Sequence, residues 1–422
     1  MRVRRTTGLL AVAVTAAVTA GAGPAAALPD RPELISVSRT GGPGGGPSDR
    51  PAISADGRYV AFESEANDLV PDDFNVAADV FLRDRRTGTT SRVSRSAAGG
   101  EANGASGQPS LSADGRYVAF DSVASDVVAG DTNESSDVFV LDRSTGRTSR
   151  ISRSGAGAQA DARSVQPAIS RSGRYVAFLS DATNLVPGDT NATTDVFVHD
   201  RLTEVTTRES VAGAGQADSF SVDVAISADG HYVGFSSYAS NLVPGDSNGA
   251  LDVFVRDRLA RVTTRVDVSG SGAQTAPQTE SHGVAISADG RYAVYESTAS
   301  DLVPGDTNGR SDVFRRDLRA GVTTRVSVSG AGDQADGSSF AASISADGRY
   351  VAFDSDATNL TPGDPATDRD VFVRDMRAGR TTAVTAPGEG FDDRPAISAD
   401  GRQVAFTSRG PGGAADVFAA AR

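Results

Sequence analysis

The chain has 422 residues and no cysteine, and its 41 basic residues, all arginine, face 54 acidic ones, so the formal net charge is −13. The lack of cysteine excludes disulfide bridges, thiolate metal sites and a cysteine nucleophile. A protein this acidic repels phosphate backbones, so we expect no nucleic-acid partner.

The first residues have the pattern of a secretory signal peptide. Arg4 and Arg5 precede an apolar run that begins at Leu9, and small residues ending at Ala27 follow it. This order is typical of an export signal. We predict that residues 1–27 are cleaved near Ala27, and that the mature chain spans no membrane and is extracellular or in the cell envelope. The arginine pair leaves both the general and the twin-arginine route open.

A block of about 57 residues occurs seven times in the chain. It is most regular in the stretch I-S-A-D-G-R-Y-V-A-F. Its turn falls at Asp56, Asp114, Asp229, Asp289, Asp347 and Asp400, with Ser172 in the third place. A fixed period of this size indicates stacked blades or a solenoid.

Each block contains four short runs with β-strand character, which we call A to D. In the second block they are Pro109–Ser112, Tyr117–Phe120, Val138–Val140 and Thr148–Arg153. Asp114 and Gly115 predict a tight turn between A and B. Run B is apolar at every position, which predicts a strand covered on both faces. Seven such blocks predict an all-β fold, a seven-bladed β-propeller of four-stranded antiparallel blades.

The two ends of the mature chain complement each other. The last block stops at Arg422 after its run C, whereas residues 33–40 match a run D with no A, B or C before them. We therefore predict one propeller domain over residues 28–422, in which residues 33–40 supply the outer strand of blade 7. Such closure leaves no open sheet edge, and the competing open solenoid would not need it.

The stretch I-S-A-D-G-R-Y-V-A-F, followed by Asp-Val-Phe-Val-Arg-Asp, resembles the WD40-like (PD40-type) repeat of TolB-type proteins. The resemblance covers residues 33–422 and implies an exported propeller that acts as a binding scaffold. Similar repeats form the propeller halves of prolyl-oligopeptidase-like peptidases, but the chain has no G-x-S-x-G nucleophile motif. The count of seven blades, without a second domain, differs from the six blades of TolB and does not favour a Tol–Pal role.

The loops between runs B and C carry the pattern D-x-N-x-x-x-D in five blades. Its members are Asp73, Asn75, Asp79, Asp131, Asn133, Asp137, Asp189, Asn191, Asp195, Asp246, Asn248, Asp252, Asp306, Asn308 and Asp312. Ca²⁺ prefers several hard oxygen ligands on a flexible loop, so these residues are candidate calcium ligands. The alternative is structural, because Asp and Asn side chains also fold onto nearby backbone N–H groups in Asx-turns.

Propeller topology places the B–C and D–A loops together on one face, which we call the loop face. The mouth of the central channel on this face is the default ligand site. His282, expected in a D–A loop, is the histidine nearest this mouth, whereas His199 and His231 are expected on the surface in place of arginine.

Four acids follow run B, namely Glu63, Asp121, Glu296 and Asp354. We expect them to face an arginine of a neighbouring blade. A carboxylate pair for acid–base attack on a polysaccharide is the alternative.

Together these features predict a secreted monomer without catalysis that binds a protein or carbohydrate ligand on the loop face, with calcium as the one cofactor considered. The alternatives are a carbohydrate-active propeller enzyme, either a polysaccharide lyase or a glycoside hydrolase, and a purely structural envelope protein. A propeller fold alone does not decide between them.

Overall fold

A computed structural model describes residues 32–213, 215–363, 368–386, 390–410 and 413–422. The predicted signal peptide, residues 1–27, lies outside the described residues. The described residues form seven four-stranded antiparallel sheets and include no helix long and apolar enough to cross a membrane. The predicted seven-bladed all-β propeller is confirmed.

The strands of each blade pair in the order A, B, C, D. Their bounds are, for blade 1, Ser48–Ile53, Tyr59–Ser64, Asp79–Asp84 and Thr89–Arg92; for blade 2, Ser106–Leu111, Tyr117–Ser122, Asp137–Asp142 and Arg147–Arg150; for blade 3, Ser164–Ile169, Tyr175–Ser180, Asp195–Asp200 and Val205–Arg208; for blade 4, Ser221–Ile226, Tyr232–Ser237, Asp252–Asp257 and Val262–Arg265; for blade 5, Ser281–Ile286, Tyr292–Ser297, Asp312–Asp317 and Val322–Arg325; for blade 6, Ser339–Ile344, Tyr350–Ser355, Asp370–Asp375 and Arg380–Ala383; and for blade 7, Phe391–Ile397, Gln403–Arg409, Ala415–Ala421 and Glu33–Leu34. A short extra hairpin, Val211–Ala212 with Gly215–Gln216, follows blade 3.

The hydrophobic core lies between neighbouring blades. The middle of strand B is fully buried, as in Val118, Ala119 and Phe120, because it is covered on both faces. Within a blade the aromatic ring of strand B lies beside that of strand C, with 5.7 Å between the ring centroids of Phe120 and Phe139. Offset aromatic pairs of this kind stabilise a core beyond the area that they bury.

The Asp-Gly turn recurs with little change in sequence because it packs against the neighbouring blade. Gly115 has φ of +65°, and a Cβ atom on it would lie 2.4 Å from the ring of Tyr59 in the preceding blade. Glycine is therefore required both by the backbone conformation and by the close approach of the ring. Arg116 beside it donates two hydrogen bonds to Asp142, of 2.9 and 2.7 Å.

A closed ring of backbone hydrogen bonds joins the seven turns. The N–H of Ala55 donates to the carbonyl of Ala113, and each blade repeats this bond to the next, with lengths of 3.0 to 3.1 Å. The donors, in ring order, are Ala55, Ala113, Arg171, Ala228, Ala288, Ala346 and Ala399, and the last donates to the carbonyl of Ala55. The ring is thus complete at seven blades.

The N-terminal segment completes blade 7. Glu33 and Leu34 pair antiparallel with Ala419 and Phe418, and the hydroxyl of Ser36 donates to Asp416 at 2.7 Å. The regular strand is shorter than the expected 33–40, because the chain turns back after Ser36 and Val37 bridges to Pro43. The first and last described segments of the chain are therefore held in one sheet.

Replacing Ser36 with alanine tests this closure. The change leaves the Asp416 carboxylate without the Ser36 donor and the N–H of Val417 without its acceptor. We expect a loss of about 2 kcal/mol in unfolding free energy, measured by urea denaturation. Ser271→Ala, at an exposed hydroxyl, is the control, and equal stability of the two variants would contradict the closure.

Candidate functional site

The structure brings the three residues of each D-x-N-x-x-x-D loop together at the outer part of the loop face. In blade 2, Asn133 donates from Nδ2 to Asp137 at 3.3 Å and to the carbonyl of Ala160 at 3.0 Å. Its Oδ1 accepts the N–H of Ser135 at 3.2 Å. The asparagine of blade 2 therefore forms the Asx-turn that the sequence left open as the alternative. The same bond recurs in blades 1, 4 and 5, whereas Asn191 Oδ1 in blade 3 has no hydrogen-bond partner.

A buried arginine of strand D lies between the two aspartates of each such loop. In blade 2, Arg150 lies 3.3 Å from Asp131 and 3.5 Å from Asp137. We call this arrangement an arginine clamp. The clamps are Arg92 with Asp73 and Asp79, Arg150 with Asp131 and Asp137, Arg208 with Asp189 and Asp195, Arg265 with Asp246 and Asp252, and Arg325 with Asp306 and Asp312. Each guanidinium supplies positive charge at the point where the loop would present its carboxylates to a metal ion.

Replacing a clamp arginine tests how much it contributes to the free energy of unfolding. Arg325→Met leaves Asp306 and Asp312 with uncompensated charge inside the protein, and Asp312 is fully buried. We expect a loss of about 3 to 5 kcal/mol in unfolding free energy by urea denaturation. Adding Asp306→Asn and Asp312→Asn should recover part of that loss. A triple variant no more stable than Arg325→Met would contradict the electrostatic account.

Blade 1 adds a third acid to its clamp. Asp73, Asp79 and Glu101 offer oxygens within 4.8 Å of one another, a grouping that could hold a metal ion. Burial raises the pKa of Asp79 to about 6, although Ser94 and Arg92 oppose the shift. Sequence reasoning did not single out Glu101, because it lies in the next D–A loop.

Blade 4 replaces a repeated hydroxyl by a carboxylate. In blade 5 the hydroxyl of Ser327 donates to Asp312 at 2.5 Å, and in blade 4 the equivalent residue is Asp267, beside Asp252. Burial, with the nearby charge of Asp252 as a smaller cause, raises the pKa of Asp267 well above its usual range. The pair therefore keeps a proton at pH values where exposed carboxylates have lost theirs.

Replacing Asp267 with serine, the residue of most other blades, should stabilise the protein in a pH-dependent way. A raised folded-state pKa means that the folded protein holds a proton that the unfolded chain loses above about pH 4, so the acid destabilises increasingly as pH rises. We expect Asp267→Ser to raise unfolding free energy more at pH 8 than at pH 4.5, measured by urea denaturation. The reverse change, Ser327→Asp, should show the opposite trend. A difference independent of pH would refute this account.

A cavity of about 330 Å³ lies at the centre of the ring. Its polar lining comes from strand A of five blades, through Arg50, Gln108, Gln166, Asp223 and Arg394. Four of these residues have a left-handed backbone, with φ between 50° and 53°: Arg50, Gln108, Gln166 and Arg394. Such a conformation is strained for residues other than glycine and persists where its surroundings hold it.

The acids at the end of strand B hold three of these four residues in place, while the N–H of Arg50 donates to its neighbour Asp49 at 2.7 Å. Glu63 accepts the N–H of Gln108 at 3.1 Å, and Asp121 accepts that of Gln166 at 3.0 Å. Asp354 likewise accepts the N–H of Arg394 at 3.0 Å. The neighbouring blade therefore offers these acids its backbone N–H groups, and arginine side chains lie near them as well: Arg50 is 3.4 Å from Glu63 in its own blade, and its charge also acts on Asp121 of the next blade.

Glu296, the fourth of these acids, pairs with a histidine instead. His282 lies directly opposite it on strand A of blade 5, with 2.9 Å between Nδ1 of His282 and Oε1 of Glu296. The hydrogen bond to Glu296 is the main cause that raises the pKa of His282. His282 is thus on a strand rather than in the expected D–A loop, and the next residue, Gly283, lines the cavity.

The other two histidines lie away from the cavity lining. His231 contacts Asp257 at 2.8 Å in the place where other blades use arginine, as predicted. His199 is fully buried, against the expectation of a surface position, and its Nδ1 lies 2.9 Å from Thr206 Oγ1. Burial lowers the pKa of His199 to about 4, so it is neutral at physiological pH.

Aromatic side chains lie where strand A starts at the loop face. Phe220, just before strand A of blade 4, lies 5.0 Å from Tyr238, measured between ring centroids. In blade 6 the Arg369 guanidinium lies 4.4 Å from the Phe340 ring and 4.8 Å from the Phe391 ring. Phe220 and Phe391 both remain partly exposed.

No protein-family model and no curated protein matches this chain. Solved structures resemble it. An oligogalacturonate lyase in complex with manganese aligns over 89% of this chain and 90% of its own, with 14% identity and a TM-score of 0.55. The β-propeller domain of the trilobed protease from Pyrococcus furiosus, which has an open velcro topology, aligns over 89% and 93%, with 12% identity and a TM-score of 0.56. A putative TolB from Agrobacterium tumefaciens aligns over 80% and 95%, with 15% identity and a TM-score of 0.43.

The likeness to the lyase and to the protease domain shows the fold of the protein. The chain is a seven-bladed β-propeller, as its repeat predicted. Identities of 12 and 14% relate it to the fold of these proteins and leave the activity to be argued from the site.

Proposed function

We propose that this protein is an exported, monomeric, non-catalytic propeller that binds a carbohydrate or protein ligand at the mouth of its central channel on the loop face. Export rests on the sequence of residues 1–27, with cleavage near Ala27. The acidic charge of −13 favours a partner other than nucleic acid.

One observation carries the binding proposal: the side chains change from blade to blade where strand A lines the channel. The first residue of strand A is serine in six blades, from Ser48 to Ser339, and the last is aliphatic throughout. The third residue, in contrast, changes from blade to blade: Arg50, Gln108, Gln166, Asp223, Gly283 and Ala341, with Arg394 at the matching bulge of blade 7. A purely structural position would keep one residue type, as the turns do, so this variation favours a ligand with unequal sides.

The chemistry of the mouth suits a polar ligand. Arg50 and Arg394, from adjacent blades, provide guanidinium donors, and Gln108 and Gln166 provide amides. Partly exposed rings such as Phe220 can cover the apolar face of a sugar or of a peptide side chain. A concave site with a few convergent polar groups is the usual form of a ligand pocket.

A double variant tests the site. Gln108→Ala with Gln166→Ala removes two side-chain amides and leaves the backbone N–H bonds to Glu63 and Asp121 in place. We expect roughly tenfold weaker binding by isothermal titration calorimetry to whichever glycan or envelope protein a panel identifies. Arg402→Ala, an exposed change at the opposite end of blade 7, is the control. Unchanged affinity in the double variant would show that the ligand binds elsewhere on the protein.

A carbohydrate-active enzyme is the second candidate, favoured by the His282–Glu296 pair. A histidine oriented by a carboxylate is an arrangement used for general acid–base catalysis. As a base, His282 must be neutral, and because its pKa is raised, activity should increase with pH above the usual histidine range.

The enzyme candidate predicts measurable turnover of a polysaccharide. His282→Gln should abolish product release while the substrate still binds, whereas His231→Gln should leave the rate unchanged. Product release that survives in His282→Gln would exclude this pair as the catalytic group.

Calcium bound on the loop face is the second part of the proposal. The five D-x-N-x-x-x-D loops supply hard oxygens, and the acidic grouping in blade 1 supports a metal site. The arginine clamps compete with an ion for the same carboxylates. Calcium is therefore expected where a loop carries more negative charge than its clamp balances.

A further inference from the structure

Glu101 breaks the repeat at a position that faces a clamp. In five blades a residue just after strand D bridges to the loop that follows it, and blade 1 does so between Arg95 and Glu101. The other blades that have a clamp place glutamine here: Gln159, Gln274 and Gln334 by the same bridge, and Gln216 by the short hairpin; blade 7, which has no clamp, has Pro43. The substitution exchanges an amide for a carboxylate.

In blades 2 and 5 the glutamine donates hydrogen bonds to both clamp aspartates, whereas in blades 3 and 4 it donates to the hydroxyl of Thr190 or Ser247. Gln159 donates from Nε2 to Asp131 at 2.8 Å and to Asp137 at 3.1 Å, while its Oε1 accepts the N–H of Thr132. Gln334 in blade 5 makes the same two bonds to its clamp, of 2.8 and 3.2 Å. An amide is thus shared between two carboxylates.

Glu101 still accepts hydrogen bonds at this position, but an ionised carboxylate cannot donate one. Its Oε1 accepts the N–H groups of Phe74 at 3.0 Å and Asn75 at 2.7 Å. An ionised carboxylate has no hydrogen to donate to Asp73 or Asp79, so the repulsion among the three acids needs another positive group.

The net negative charge of these residues and the burial of Asp79 both favour an additional positive group. Three carboxylates with Arg92 carry −3 + 1 = −2, whereas Asp131, Asp137 and Arg150 in blade 2 carry −2 + 1 = −1. Asp79 is 1% exposed, and its Oδ2 has no hydrogen-bond partner, with Arg92 Nε at 3.5 Å. A buried carboxylate oxygen without a donor calls for an explanation, and a bound cation or a shared proton provides one; Asp252 Oδ2, beside the extra acid Asp267 of blade 4, is in the same situation.

We propose that Asp73, Asp79 and Glu101 bind one hard divalent cation, with Ca²⁺ preferred. This inference rests on the calcium part of the proposed function and narrows it to blade 1. Carboxylates suit hard cations, and bonds of about 2.3 to 2.6 Å let Ca²⁺ bridge oxygens up to 4.8 Å apart better than the shorter bonds of Mg²⁺ do. Glu101 is partly exposed and provides the path from solvent to the two buried aspartates.

The site is tested with Glu101→Gln, which installs the residue of the other blades. The chelator-treated chain is titrated with CaCl₂ at pH 7.5 by calorimetry, and its melting temperature is measured with and without the ion. We expect one ion per chain and a rise of about 3 °C at a hundredfold excess over Kd in the wild type. Both should vanish in Glu101→Gln, whose ion-free melting temperature should exceed that of the ion-free wild type.

Two matched variants complete the design. Glu134→Gln removes the same charge from the loop face of blade 2 without contacting a clamp, and it should leave calcium binding intact. Gln334→Glu copies the blade 1 arrangement into blade 5, and it should add a second ion per chain.

Each contrary outcome has a distinct meaning. Calcium binding that persists in Glu101→Gln would overturn the blade 1 assignment and leave the calcium proposal standing. No binding of Ca²⁺ in any variant would overturn both. In that case a melting temperature of Glu101→Gln that exceeds the wild type increasingly as pH rises would show that a shared proton holds the three acids together.

Discussion

The closed ring of seven backbone hydrogen bonds around the A–B turns is the constraint on which the rest of this structure depends. Each turn donates to the next, and Ala399 returns the bond to Ala55. Such a ring closes only if every blade repeats the same turn at the same angle. The Asp-Gly pair, or Ser-Gly in blade 3, supplies the turn conformation, and in six of the seven blades the tyrosine of the preceding blade packs against the glycine; Gly57 has Gln403 there instead. The most regular part of the sequence is therefore the part that carries the ring.

The loop face at the other end of the blades has more freedom, and it holds the departures from the repeat. Glu101, Asp267 and His282 each place an ionisable group where most blades have a neutral one. Two of these changes put carboxylates next to one another inside the protein, which destabilises it unless a proton or a cation is shared. Departures with that consequence are the positions at which a function is to be sought in a repeat protein.

Much of the fold could be predicted from the sequence because the period, the turn residues and the complementary ends are local patterns. Blade number, strand B burial and the closure of blade 7 all followed from them. The arginine clamps did not, because a salt bridge between strand D and a loop about 15 residues earlier leaves no local pattern. A signal was present nevertheless. Arg92, Arg150, Arg208, Arg265 and Arg325 occur in the five blades that have D-x-N-x-x-x-D, whereas blades 6 and 7 have Ala383 and Leu34 there.

The clamps also explain why an acidic loop pattern need not be a set of ion sites. A calcium ion and a guanidinium group have the same electrostatic effect, since each offsets the negative charge of the loop carboxylates. Arginine does so within the chain, so the clamps of blades 2, 3 and 5 need no ion to bring their carboxylates together. The five donors of its planar group also orient both aspartates, which a spherical ion does not. An additional acid such as Glu101 raises the net negative charge of a clamp from −1 to −2, and this extra charge is the reason for proposing an ion in blade 1.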